Sequence, residues 1–157
     1  PGGPHLSKLA ETGRADAYDF PRPMVNSDNF EFSFSGLKTA VLYKLQKLPP
    51  SPSSLLPDLA AAVQQAIVDV LISKLEKAVL RYRPKTIMLG GGVAANKLLR
   101  ERFELLATTY NLQPRIPEFQ YCTDNAGMIG LAAHYRLANK KTKFPKNFSV
   151  QPNLELK

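Results

Sequence analysis

The chain has one cysteine, Cys122, in 157 residues. An internal disulfide is therefore excluded, and a reducing compartment is expected. A cysteine-based zinc site cannot be built from this chain alone. Histidine is almost as scarce: His5 and His134 are the only two, and neither sits in a recognisable pairing motif. There is no HExxH pair, no P-loop signature and no GxSxG elbow. No complete catalytic constellation is present, so the catalytic residues stay unassigned. Internal repeats and low-complexity segments are absent. No apolar run approaches membrane-spanning length, and no secretory signal opens the chain. The expectation is a cytoplasmic protein with no membrane partner. An initiator methionine is also missing, and Pro1-Gly2-Gly3-Pro4 is a turn-forming cluster. This start is expected of a piece cut from a longer protein.

What is present is globular in character. Apolar residues make up 44% and charged residues 22%, the balance of a soluble domain with a proper core. The net charge of +8 is concentrated. Arg81, Arg83 and Lys85 form one cluster, Lys97, Arg100 and Arg102 a second, and Lys140, Lys141, Lys143 and Lys146 a third. Two readings fit: contacts to an anionic partner such as nucleic acid, or a solvated surface with cations near helix C-termini.

The most telling segment is Ile87-Met88-Leu89-Gly90-Gly91-Gly92-Val93-Ala94-Ala95-Asn96. An apolar run of strand type, Thr86–Leu89, ends in three glycines and a helix-forming run to about Tyr110 follows. Consecutive glycines are poor strand or helix material. They let a backbone pass close to a ligand and turn into a helix whose free N–H groups favour anions and polar oxygens. A nucleotide-binding turn and a bare strand-to-helix connection both fit.

The remaining pattern is mostly helical. His5–Thr12 predicts a short helix stopped by Gly13, and 14–29 an extended loop. Phe30–Phe34 alternates apolar and polar residues, the strand signal. Ser35 can cap a helix from Gly36 to about Leu48. Pro49–Ser54 is a stiff polar linker. Leu56–Tyr82 carries one continuous apolar stripe, with Pro57 in a tolerant first turn and Arg83-Pro84 ending the helix. Gln113–Ile116 reads as a short strand and Pro117–Thr123 as a loop. Asp124–Asn139 reads as a final helix capped by Thr123 or Asp124. This is α/β material with few strands, so more sheet is expected upstream. In Cys122-Thr123-Asp124-Asn125-Ala126, Asp124 is either a metal ligand or an N-cap. Cys122 is a nucleophile or, without a paired histidine, a buried structural residue.

Six separated segments now resemble one family in its own order. They are PGGP (Pro1–Pro4), LSKLA (Leu6–Ala10), FPRPM (Phe20–Met24), FSFSGLKTA (Phe32–Ala40), GGVAAN (Gly91–Asn96) and CTDNA (Cys122–Ala126). Together they resemble the TsaD family, also called the Gcp or YgjD family. The match departs at Gly127 and Gly130, where the family more often carries alanine. The resemblance implies an α/β fold, helix-rich with a partial sheet: the C-terminal lobe of the actin/Hsp70/sugar-kinase-like, ribonuclease H-like (ASKHA) ATPase fold. On it, residues 1–157 form a single lobe, and an N-terminal lobe with HxxxH and SGG motifs lies outside the chain. It implies transfer of a threonylcarbamoyl group from threonylcarbamoyl-adenylate to the adenosine next to the anticodon of tRNAs reading ANN codons. It also implies nucleotide contacts from Gly3, Gly90, Gly91, Gly92 and Asn96. One iron or zinc ion would be held by Asp124 together with two histidines of the missing lobe. The implied partners are tRNA, TsaB-like and TsaE-like proteins and that lobe; this piece alone should be inactive. Two competing functions are an O-sialoglycoprotein metalloendopeptidase, the "glycoprotease" reading, and a non-catalytic scaffold lobe.

Overall fold

The computed structural model describes residues 2–49 and 54–139. The linker residues 50–53 and the basic residues Lys140, Lys141, Lys143 and Lys146 lie outside them. The elements run α1 (Gly2–Ala10), α2 (Ser35–Gln46), α3 (Leu56–Tyr82), β1 (Thr86–Met88), a 3-10 turn (Gly92–Ala95), α4 (Lys97–Thr109), β2 (Gln113–Arg115), a second 3-10 turn (Phe119–Tyr121) and α5 (Ala126–Ala138). The chain divides into two compact units, Pro1–Cys122 and Thr123–Lys157.

Helix α3 is the spine of the first unit. Its 27 residues occupy the predicted span, because the apolar stripe is long and Pro57 falls in the first turn, where its missing N–H would have no partner. Arg83 ends it in the left-handed conformation (φ 47°), and its N–H bonds the Val79 carbonyl at 2.8 Å. Contrary to the sequence expectation, this helix is long and apolar enough to cross a membrane, with a mean hydropathy of 1.3 in its best window. Much of that apolar character is used in packing, since ten of its 27 side chains are buried. Leu59, Ala62, Val63 and Ala66 pack with Phe20 and Leu37, while Val79 joins Ile87, Phe103, Leu106 and Ala107 in a second cluster. The first half of α3 thus gathers α1, α2 and the Tyr18–Phe20 segment, and the second half gathers the sheet and α4.

The sheet has two parallel strands, with Thr86 opposite Gln113 and Met88 opposite Arg115. The Leu89 N–H continues the ladder to the Arg115 carbonyl at 2.9 Å. Ile87 is buried, whereas Met88 is 78% exposed, so one sheet face is covered by α4 and the other is bare.

Several local expectations are corrected. The Pro1–Pro4 segment is not a free turn: α1 already begins at Gly2, since Pro4 falls in a first turn that needs no donor. Phe30–Phe34 forms no strand. The alternation has another origin: Phe34 packs on the first core cluster, Phe32 stays exposed against it with ring centres 5.8 Å apart, and Phe30 meets Tyr82 at 5.4 Å. Ser35 is the first residue of α2 rather than its cap, and Phe34 at the N-cap position supplies no side-chain bond. That helix stops at Gln46, short of Leu48.

The irregular segment from Arg14 to Asn29 is pinned along α3. The Arg14 N–H donates to Asp58 at 2.8 Å, and Arg22 forks onto Asp69 at 2.9 and 3.0 Å. Lys74, only 4% exposed, donates to the Ser27 hydroxyl and to the Ser27 and Asn29 carbonyls; Lys77 donates to the Val25 and Ser27 carbonyls. Burial, and then the neighbouring Lys77, hold the Lys74 ammonium below the usual lysine range. Gly13 does more than stop α1. A β-carbon there would overlap the Pro57 carbonyl, so only glycine lets this turn sit on the start of α3.

Candidate functional site

The glycine turn lies at the end of β1, where the backbone must leave the sheet and enter α4. Gly91 carries the change of direction at φ 80° and ψ 175°, a region essentially reserved for glycine. A β-carbon at Gly90, Gly91 or Gly92 would meet nothing within 4 Å. The space beside the turn is therefore open, as a ligand-binding turn requires and a packed connection does not. The following residues first form the 3-10 turn, so α4 begins three residues later than Ala94, at Lys97.

Asn96 is the N-cap of α4. Its Oδ1 accepts from the Leu99 N–H at 2.9 Å, and its Nδ2 donates to Gln64 Oε1 at 2.7 Å and to Ser7 Oγ at 3.0 Å. Both amide protons are engaged, which leaves one lone pair on Oδ1 for a further donor. Asn96 thus ties three helices together: α4 at its start, α1 through Ser7 and α3 through Gln64. A second link joins the residue after α1 to α4, where Lys97 meets Glu11 at 2.8 Å. Hydrogen bonding and the opposite charge of Lys97 hold the Glu11 carboxyl below its ordinary range and raise Lys97. Gly3 lies one turn before Ser7 on α1, and nothing surrounds its would-be β-carbon. The structure therefore connects the helix carrying Gly3 with the residue that ends the glycine motif. Ser7 and Gln64 had no signal in the sequence, since nothing local pairs them with Asn96.

Sequence reasoning misplaced Arg100. It belongs to the second basic cluster, yet its guanidinium is turned inward. It donates to the Ala94 carbonyl, to the Pro117 carbonyl at 2.6 Å and to Cys122 Sγ at 3.1 Å, and it sits 4.1 Å from the Phe119 ring centre. Arg100 therefore stitches the 3-10 turn of the glycine motif to the 117–122 segment. Cys122 is 3% exposed and hydrogen-bonded, the structural rather than the nucleophilic arrangement. An open concavity of about 610 Å³ runs beside it, lined by Arg100, Glu104, Ile116, Pro117, Glu118, Phe119 and Gln120. None of the three glycines lines it.

Asp124 belongs to the second unit. Neither it nor Thr123 caps the last helix. Asn125 does so, accepting from the Met128 N–H at 2.9 Å while its amide donates to the Thr123 carbonyl at 3.0 Å. Asparagine caps as well as aspartate does, and its position sets where α5 begins. Asp124 is exposed and has no side-chain partner among the described residues. Its two carboxylate oxygens are free to bind a cation. Yet no group of three or more potential metal ligands exists among the described residues. One carboxylate does not hold a catalytic metal, so any such ion would need ligands from elsewhere.

Comparison with known proteins covers both regions. Residues 1–131 match the model of the TsaD family, described as tRNA N6-adenosine threonylcarbamoyltransferase. A protein of that name from Thermosipho africanus is 42% identical over 158 residues, which covers 99% of this chain and 47% of the relative. One from a Polaromonas species is 46% identical over 137 residues, 87% of this chain and 40% of its own. One from Staphylococcus carnosus is 43% identical over 136 residues, 86% and 39%. The chain thus spans about half the length, or less, of these curated relatives.

Proposed function

This chain belongs to the TsaD family, and from that premise we propose that it is one lobe of a tRNA N6-adenosine threonylcarbamoyltransferase. On this reading it is an actin/Hsp70/sugar-kinase-like lobe. The bare face of β1 and the open glycine turn form one wall of a nucleotide cleft whose other wall lies outside the chain. The adenosine of threonylcarbamoyl-adenylate rests against Gly90–Gly92, with Gly3 of α1 at its rim. Asn96 orients it through the free lone pair on Oδ1 while holding α1, α3 and α4 in register. The observation that carries this reading is the open space at the three glycines. The side chains they lack would occupy the volume a nucleoside takes.

The residues of this chain bind and orient rather than react. The tRNA adenosine N6 attacks the carbamoyl carbon, the bond to the phosphate oxygen breaks, AMP leaves and N6 gives up a proton. Asp124 offers one carboxylate to a divalent ion, iron or zinc, that also needs the HxxxH histidines absent from this chain. Such an ion would polarise the acyl-adenylate. The transferase name of the relatives favours group transfer over peptide hydrolysis. TsaB-like and TsaE-like proteins are the expected partners, in the cytoplasm.

The test is a chimera that joins the N-terminal half of the Thermosipho africanus relative to this chain. It should convert unmodified tRNA and threonylcarbamoyl-adenylate to the modified nucleoside, detected by mass spectrometry of digested tRNA. Neither half alone should do so. A folded chimera that binds the adenylate but transfers nothing would refute the proposed reaction. Full activity of this chain alone would refute the division of labour.

A further inference from the structure

The first unit separates two basic clusters that looked alike in sequence. In the second cluster Lys97 is paired with Glu11 and Arg100 is bonded inward. In the first, Arg81, Arg83 and Lys85 are all exposed, and their side chains make no hydrogen bond or ion pair among the described residues. Their backbone is nevertheless firmly held. The Arg83 N–H bonds the Val79 carbonyl at 2.8 Å, and the Lys85 carbonyl accepts from the Gln113 N–H at 2.9 Å. Among these cations stands Tyr82, 66% exposed and in ring contact with Phe30 at 5.4 Å. The loop before Phe30 is clamped to α3 by Lys74 and Lys77. Three unpaired cations on a fixed backbone, interleaved with an exposed aromatic pair, are the ingredients of a polynucleotide surface. Cations meet phosphates, and a ring accepts an unstacked base.

We propose that Arg81, Arg83 and Lys85, with Tyr82 backed by Phe30, form a docking surface for the tRNA backbone at the C-terminal end of α3. This rests on the tRNA-modifying function proposed above and adds to it where the RNA lies. An acidic protein partner would use the same cations but would have no need of the open ring.

The experiment measures binding of unmodified tRNA to the full chain by fluorescence anisotropy across a salt series. R81Q/R83Q/K85Q should weaken binding roughly tenfold or more at 0.1 M salt. It should also reduce the slope of log affinity against log salt by about 2–3, close to one per lost phosphate contact. Y82L should weaken binding roughly tenfold and leave that slope unchanged. Circular dichroism should find both variants folded, because the substituted side chains are exposed. Unchanged affinity and slope in the triple variant would overturn the proposal. So would equal competition by polyglutamate of matched charge, the signature of an acidic protein site. The chimera assay keeps the two readings apart. Transfer activity alongside unaltered tRNA binding by the triple variant sinks this surface alone, whereas altered binding without transfer sinks the reaction alone.

Discussion

Asn96 is the residue whose replacement probes the site most directly. Replacing it with alanine removes three hydrogen bonds at 2.7, 2.9 and 3.0 Å. Loss of the N-cap costs about 1 kcal/mol. Each of the other two bonds contributes about 0.5–1.5 kcal/mol net, and their removal leaves part-buried groups on Ser7 and Gln64 with a partner missing. Together Asn96→Ala should destabilise the chain by about 2–4 kcal/mol, equivalent to a fall in Tm on the order of 10 °C. Asn96→Asp is the informative control. It keeps the cap acceptor and places a negative charge at the start of α4, where the helix dipole favours it. The Ser7 hydroxyl can rotate to donate and the Gln64 amide can flip to donate, so both contacts survive with reversed polarity. Its cost should stay below about 1 kcal/mol. Asn96→Ser should fall between, keeping the cap but losing the reach to Gln64. Urea unfolding followed by circular dichroism gives the three values from shifts in midpoint at constant m. An aspartate variant as unstable as the alanine variant would refute the network argument. An alanine variant within about 0.5 kcal/mol of the parent would do the same.

Three further outcomes follow from the geometry. Gly91→Ala should cost about 1–3 kcal/mol because of its backbone angles, while Gly90→Ala should cost less, having open space and no positive φ; equal melting points for the two would contradict the assigned strain. Asp124→Asn should leave stability within about 0.5 kcal/mol of the parent and abolish metal uptake in the chimera, whereas Asn125→Ala should cost about 1 kcal/mol by uncapping α5; elemental analysis and thermal melts separate the two roles. The Glu11–Lys97 pair should make stability pH-dependent at both ends. Glu11 has a depressed pKa, so its contribution is full above the ordinary glutamate value of about 4.3 and disappears as pH falls through the lower folded value. Lys97 is raised, so its part is full below about pH 10.4 and disappears as pH rises through the higher folded value. Glu11→Gln should flatten both limbs of a Tm-against-pH curve, and an unchanged curve would remove the pair from the stability argument.

What the chain could determine locally, it determined well. The span of α3 follows from an unbroken apolar stripe, a first-turn proline and a following Arg-Pro stop, all within 29 consecutive residues (56–84). The glycine turn is equally local, because backbone freedom at Gly91 needs no distant partner. Even the family was legible, since six motifs keep their order whatever the fold does with them. Tertiary structure decided the rest. Whether Phe30–Phe34 becomes a strand depends on a neighbouring edge to pair with, and none lies beside it; its phenylalanines find the core and Tyr82 instead. Whether a basic residue meets solvent or protein depends on what folds over it. Arg81 and Arg100 are chemically identical, yet Ala94, Pro117, Cys122 and Phe119 surround one, while the other is exposed with no side-chain hydrogen bond or ion pair among the described residues. Asn96 had a role in the sequence only by resemblance. Its links to Ser7 and Gln64, 89 and 32 residues away, exist only because α1 and α3 pack side by side, and sequence spacing carries no record of such packing.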